Sequence, residues 1–338
     1  MDGWIKGNGP HNNIILSSRI RLARNLANIP FPLTQGGEKA KGVIELVRNA
    51  LMKENETKSQ FDEYIMKDML PVDKQVLVER HFISPGLAKN NINGAAMISS
   101  DKEISIMINE EDHIRIQSIL PGLQIKKALE KADELDDILE RSFDYAYDES
   151  WGYLTSCPTN VGTGMRASVM VHLPALNITG NINKILQAVT QIGLTIRGLY
   201  GEGTEMVGNV FQISNQITLG RSEEEIVDNL TAVTMQIIEK EKEARNILLN
   251  NNPMQIEDKI WRSLGIMQNA RMMQSQECIK LLSDIRLGVD LDILDRIPIS
   301  LLNEIMIETQ AASIQKGAGK ELSPVERDIL RAEIVRDK

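Results

Sequence analysis

The chain has 338 residues, 42% of them apolar and 25% charged, enough to fill two cores and too ordinary a balance for wholesale disorder. Its formal charge of −9 excludes nonspecific nucleic-acid binding through a net basic surface, although a local basic pocket stays open. Two cysteines far apart in sequence, Cys157 and Cys278, exclude a disulfide framework, and with no basic-then-apolar leader and no run of about 18 apolar residues a cytoplasmic protein without membrane contact is expected.

Residues 38–53 read as an amphipathic helix, with Val43, Leu46, Val47 and Leu51 at helical spacing. Ala95–Ser99, the turn Ser100-Asp101-Lys102 and the alternating Ile104–Ile108 predict a hairpin, with a third strand over Ile114–Ile119. Alternation returns at Met165–Leu173, Leu194–Gly198 and Val210–Leu219. Short strands without regular crossover helices predict an α+β fold whose sheet is mostly antiparallel and flanked by helices.

From Ser222 the period changes. Ser222 with Glu225 makes a capping box, and Ile226, Leu230, Val233 and Ile237 give the buried stripe of a long helix. Asn250-Asn251-Asn252-Pro253 suits a helix stop followed by a new start with proline at the first position. The rest reads as helix, ending in one that opens at the capping box Ser323-Pro324-Val325-Glu326. Two domains are expected, a mixed one over 1–249 and an all-α one over 253–338.

Five arginines lie in short motifs rather than charge runs. Arg19 and Arg21 belong to Ser17-Ser18-Arg19-Ile20-Arg21, and Arg115 ends Asn109-Glu110-Glu111-Asp112-His113-Ile114-Arg115. Arg166 closes Cys157-Pro158-Thr159-Asn160-Val161-Gly162-Thr163-Gly164-Met165-Arg166, and Arg197 opens Arg197-Gly198-Leu199-Tyr200-Gly201-Glu202. Singly, each arginine would pass for a surface residue and each glutamate for a loop residue. No Walker-type loop or protein-kinase signature competes for a nucleotide.

Together the four segments resemble the active site of the ATP:guanidino phosphotransferases, the phosphagen kinase family. The resemblance covers residues 14 to about 245 and implies that family's catalytic fold with ATP and Mg2+, the metal held through ATP and not by a protein cluster. It implies nucleotide contacts from Ser17, Ser18, Arg19, Ile20 and Arg21; from His81 on the adenine side; from Arg115; from Arg166, Ala167, Ser168, Val169 and Met170; and from Arg197, Gly198, Leu199, Tyr200, Gly201 and Glu202. Arginine forks suit this task because they stay charged and bind phosphate bidentately. A guanidinium, with a pKa above about 12, is a poor nucleophile until carboxylates orient it and accept its proton. The resemblance gives that role to Glu111 and Glu202 and places the Cys157 thiol beside the guanidinium. Glu110, Asp112 and His113 are read as scaffold.

The departures narrow the reading. Small-molecule members carry a helical cap before the Ser-x-Arg motif, whereas here the motif starts at residue 17 and a helical extension follows residue 250. This arrangement looks like that of the bacterial protein arginine kinases. It implies protein substrates with exposed arginine, among them a stress-response transcription repressor, a zinc-binding activator protein, and an AAA+ unfoldase–protease that reads the phosphoarginine as a degradation mark. Arg327-Asp328-Ile329-Leu330-Arg331-Ala332 resembles that family's phosphoarginine-binding motif, with Arg327 and Arg331 spaced i, i+4 on one helical face. The pocket of Arg327, Asp328, Arg331 and Ala332 would then serve allosteric regulation. Apolar stripes and the methionine pairs of the helical part suit a homodimer and, equally, internal packing. A small-guanidine kinase and a catalytically silent phosphoarginine adaptor are the alternatives.

Overall fold

The computed structural model describes residues 3–53, 61–90, 92–198 and 207–338. Its centre is β1 (Ile15–Arg24), whose strict alternation puts Ile20 and Leu22 on one face and Arg19 and Arg21 on the other. After it come α1 (Gly37–Lys53), β2 (Phe61–Ile65), α2 (Pro71–Glu79) and α3 (Pro85–Lys89). The meander β3 (Ala95–Ser99), β4 (Ile104–Ile108) and β5 (Ile114–Pro121) follows as the alternation predicts, then α4 (Ile125–Glu140) and a small hairpin, β6 (Tyr147–Asp148) and β7 (Gly152–Tyr153). Then come β8 (Met165–His172), α5 (Pro174–Ile178), α6 (Ile182–Gln191), β9 (Leu194–Gly198) and β10 (Val210–Asn215).

Every ladder is antiparallel, and the eight-stranded sheet runs β2-β3-β4-β5-β1-β8-β10-β9. The α+β reading with a mostly antiparallel sheet therefore holds. The last strand ends at Asn215 and not at Leu219. There the Asn215 amide replaces the ladder: its Oδ1 accepts from Ala167 N at 2.8 Å and its Nδ2 donates to Met165 O at 3.1 Å. Thr218 has by then turned away to bond the carbonyls of Thr159 and Val161.

One sheet face is apolar. Ile20, Leu22, Ile114, Ile116, Ala167 and Val169 are fully buried there under α4 and its neighbours. The helix α7 (Glu223–Asn251) starts at the predicted Ser222–Glu225 capping box and also packs on β8 and β10. Beyond Asn252 lie α8 (Pro253–Asn269), α9 (Ser275–Asp290), α10 (Ile299–Glu308), α11 (Ala311–Ala318) and α12 (Pro324–Asp337). Their apolar stripes join the sheet's core in one continuous cluster that runs from Trp4 to Val335.

Candidate active site

Strand register assembles the site. Arg21 stands opposite Arg166, and Arg19 opposite Ser168, across the β1–β8 ladder. Arg115 stands beside Ala23 across β1–β5, and Arg197 beside Gln212 across β9–β10. Because side chains alternate, all five motif arginines emerge on the face away from α4. A one-residue slip of any ladder would send its arginine into the apolar core. The same alternation turns the side chains of Ser18, Ile20, Ala167 and Val169 to the helix-covered face. Ser18 Oγ there donates to Gly122 O at 2.8 Å and accepts from Gln124 N at 2.9 Å.

Packing like charges together has an electrostatic cost that an anion would relieve. Burial, then the neighbouring Arg115 and Arg166, lower the Arg19 guanidinium to about 10. Burial and the positive charges of Arg19, Arg115 and Arg166 push Arg21 well below its usual value, only partly offset by Glu110. Arg19 is steered by Gln212 Oε1 at 2.6 Å. The buried Nε of Arg21 has no hydrogen-bond partner among the described residues. An orphaned buried donor within a ring of cations fits the oxygens of a polyphosphate.

The acidic motif forms the turn from β4 to β5. Asn109 takes a φ of 56°, a left-handed conformation that asparagine tolerates, and its side chain bonds Ala40 O and Asn93 O. Glu110 anchors Arg115 at 2.5 Å and accepts from Ser84 Oγ at 2.6 Å. Glu111 reaches the other Arg115 nitrogen at 3.0 Å, with its side chain 42% exposed against 11% for Glu110. The exposed carboxylate is thus the one that can meet a second molecule. Asp112 and His113 are buried braces: Asp112 Oδ1 accepts from Asn25 Nδ2 and Ser156 N, both at 2.7 Å, and His113 Nδ1 accepts from Leu26 N at 3.1 Å.

Cys157 lines the same cavity as Glu111, at the head of a short 3-10 turn over Pro158–Asn160. Its Sγ lies 3.1 Å from Thr159 Oγ1. The loop closes by tight backbone approach at Gly162, with a φ of 111°, where a Cβ would stand 2.5 Å from Thr218 O. A network that sequence reading missed holds the loop from below. Arg24 is 2% exposed, donates to Asp136 Oδ2 at 2.8 Å and to Thr163 O at 3.0 Å, and lies 3.6 Å from the centre of the Tyr153 ring. Its signal was its parity: it breaks the apolar face of β1 with a charge.

The cleft has two arms that share Arg21, Arg115 and Arg197. The larger, about 530 Å3, is lined by Glu111, Cys157, Asn160, Arg166 and Thr195 besides the shared arginines. The smaller, about 170 Å3, adds Arg19 and Gln212 to an apolar wall of Val78, His81, Ile83, Pro85 and Met107. His81 adopts a φ of 63° and its backbone carbonyl accepts from Gln117 Nε2 at 2.7 Å. Burial, then Arg19, push its imidazole down to about 3, so it is neutral at physiological pH. Leu199, Tyr200, Gly201 and Glu202 lie outside the described residues.

The C-terminal motif sits apart, on α12. Arg331, 2% exposed, donates to Thr309 O and Met273 O, each at 2.8 Å, and pairs with Asp328 at 2.5 Å. Arg327 donates to Leu322 O at 2.8 Å, and Ala332 is fully buried. Arg331 is thus engaged with two backbone carbonyls and Asp328, and Arg327 with one carbonyl at the start of its own helix.

Comparison with known proteins agrees with this arrangement. Residues 42–244 match the model of the ATP:guanido phosphotransferase C-terminal catalytic domain, and residues 253–338 that of the protein-arginine kinase McsB C-terminal domain. The chain is 50% identical over 336 residues to the protein-arginine kinase of Halothermothrix orenii, covering 99% of this chain and 95% of that one. It is 52% identical to the protein-arginine kinase of Halalkalibacterium halodurans, over 98% of this chain and 94% of the relative. Among solved structures, a lombricine kinase superposes with a TM-score of 0.60 at 27% identity, over 68% of this chain and 66% of the other.

Proposed function

This chain belongs to the ATP:guanido phosphotransferase family, and from that membership we propose how its residues move the γ-phosphoryl group of ATP onto arginine side chains of proteins. The convergence of Arg19, Arg21, Arg115, Arg166 and Arg197 on one sheet face carries the reading. MgATP enters as the substrate, with magnesium on phosphate oxygens and water. The described lining offers it cations, and no group of three or more His, Cys, Asp or Glu among the described residues could hold a metal ion. The base lies in the apolar arm against neutral His81, and the phosphates meet the shared arginines.

In the larger arm a substrate guanidinium lies between Glu111 and Cys157, with Glu202 completing its grip. The carboxylates turn one nitrogen in line with the γ-phosphorus and accept its proton. The N–P bond forms as the bond from phosphorus to the β,γ-bridging oxygen breaks, and ADP leaves with that electron pair. Charge spreading over the equatorial oxygens meets forks already fixed on strands, so little reorganisation is needed. Arg115, held by Glu110 and touching Glu111, links the phosphate clamp to the base.

Protein substrates fit the similarity to relatives named protein-arginine kinase and to their C-terminal domain. The remaining proposals extend that likeness. The protein acts in the cytoplasm as a homodimer, and its phosphoarginine marks proteins, a stress-response repressor among them, for an AAA+ unfoldase–protease. A zinc-binding activator protein works alongside, and Arg327, Asp328, Arg331 and Ala332 bind phosphoarginine for regulation. Residues 1–249 and 253–338 are proposed as catalytic and regulatory domains. Incubation with MgATP and an arginine-rich protein is expected to give an acid-labile, base-stable phosphoramidate. Only acid-stable phosphoester, or turnover of free arginine with none of the protein, would overturn the reading.

A further inference from the structure

Glu79 stands in the last turn of α2, where an acidic side chain opposes the helix dipole. Its carboxylate is nonetheless buried and serves another helix. It accepts from Ala312 N at 2.8 Å, from Ser313 N at 2.9 Å and from Ser313 Oγ at 2.8 Å. These are first-turn donors of α11, whose own N-cap, Gln310, supplies no side-chain cap. The cap of a C-terminal helix is therefore provided by the sheet-side part of the chain. Lys316 and Asp73, 2.9 Å apart, tie the same two helices a second time.

Both ends of this contact lead somewhere. On one side, α2 runs into Val78 and the left-handed His81, which wall the smaller arm of the cleft. On the other, Thr309 lies two residues before α11 and its carbonyl accepts from Arg331. A separate route meets His81 from the helical part: Asn303 on α10 donates to Ile5 O at 3.2 Å, and the adjacent Trp4 ring is 5.6 Å from the imidazole.

We infer that Glu79 is a positioning residue that fastens the Val78–His81 wall of the nucleotide arm to the helical region carrying Arg331. The inference rests on reading that arm as the nucleotide site. Contiguity alone does not establish coupling, so the discriminating readout is nucleotide selectivity, which a mere stability role leaves unmoved. Full-length parent, E79A, E79Q and S313A are compared in phosphorylation of an arginine-rich protein with ATP and with GTP, in displacement of a fluorescent ATP analogue, and in Tm. E79A is expected to raise the KM for ATP and the analogue's Kd about tenfold, near the value of one charge-assisted hydrogen bond, and to narrow the ATP-over-GTP preference. E79Q, which keeps one acceptor oxygen, falls between E79A and the parent; kcat at saturating ATP stays within about threefold throughout, since no phosphate or guanidinium contact is touched. Parent-like analogue binding and ATP-to-GTP ratio in E79Q and S313A, with only a lower Tm, overturn the inference. If E79A fails to fold, those two variants decide it. A parent that binds the analogue but makes no phosphoarginine defeats the proposed function, whereas the analogue's response to the variants still tests Glu79.

Discussion

Replacing Arg24 with alanine tests whether the loop bearing Cys157 is held from beneath. Arg24 meets Asp136 at 2.6 and 2.8 Å with both side chains buried, donates to Thr163 O, and stacks on Tyr153 at 3.6 Å. Removing one partner of a buried pair costs about 3–5 kcal/mol, because the other charge is left without compensation. At about 2.1 cal/mol/K of unfolding entropy per residue, the whole chain changes by about 0.7 kcal/mol per degree, so a loss of about 4 kcal/mol lowers Tm by about 6 °C. Calorimetry on R24A, D136L and R24M/D136L gives the test. The double variant should recover much of the single-variant loss, since it leaves neither Arg24 nor Asp136 buried without the other. Steady-state kinetics should show a larger change in kcat than in the KM for ATP, because the loop borders the proposed guanidinium side of the cleft. A Tm shift under about 1 °C for R24A, or a double variant no better than the sum of the singles, would refute the reasoning.

Glu111→Gln should lower kcat on protein arginine by about 10²–10⁴ while ATP analogue binding changes little, and a parent-like rate would remove Glu111 from the chemistry. The depressed His81 and His172 imidazoles contribute stability that is full above the unfolded value of 6.5 and is lost as pH falls below it, for His81 down to about 3. Chemical denaturation from pH 7 to 4.5 should therefore show a shallower loss in H81N than in the parent, and equal slopes would contradict the assignment. Asp290, raised by burial to about 6, acts with the opposite sign and is common to both proteins. Arg327→Ala should blunt activation by phosphoarginine with basal turnover within a few-fold, whereas Arg331→Ala should lower Tm first, since it strips two buried carbonyls and Asp328 of their donor. Activation unchanged in Arg327→Ala would exclude it from the pocket.

Much of the sheet was legible because its signals are local. Alternation marked the meander from Ala95 to Ile119, two residues short of its end at Pro121, and the Ser222–Glu225 and Ser323–Glu326 boxes fixed two helix starts. Register was not local: nothing within Ser17–Arg21 states that Arg21 will face Arg166. What pointed to the proposed site was four motifs resembling one family, not their spacing. The α4 stripe of Ala128, Leu129, Ala132 and Leu135 was equally regular, yet the part it plays, offering Asp136 to Arg24, depends on a tertiary meeting. Glu79 was invisible for the same reason, because its use lies on another helix 233 residues away. Arg331 shows the converse, since helical spacing put it beside Arg327 while the neighbouring carbonyls of Met273 and Thr309 drew it inward.

The position of β1 also has a consequence for how the protein comes into being. The first of the described strands lies in the middle of the sheet, and its two neighbours are made about 100 and about 150 residues later. During synthesis Arg19 and Arg21 must wait, unpaired on one edge, until β8 emerges, and Gln212 reaches Arg19 only once β10 follows. A ribosome-bound fragment ending before about residue 215 therefore lacks part of the proposed phosphate clamp. On the proposed reading of the arginine face, a nucleotide that binds only the finished sheet stabilises the last folding steps and leaves the early ones to hydrophobic burial.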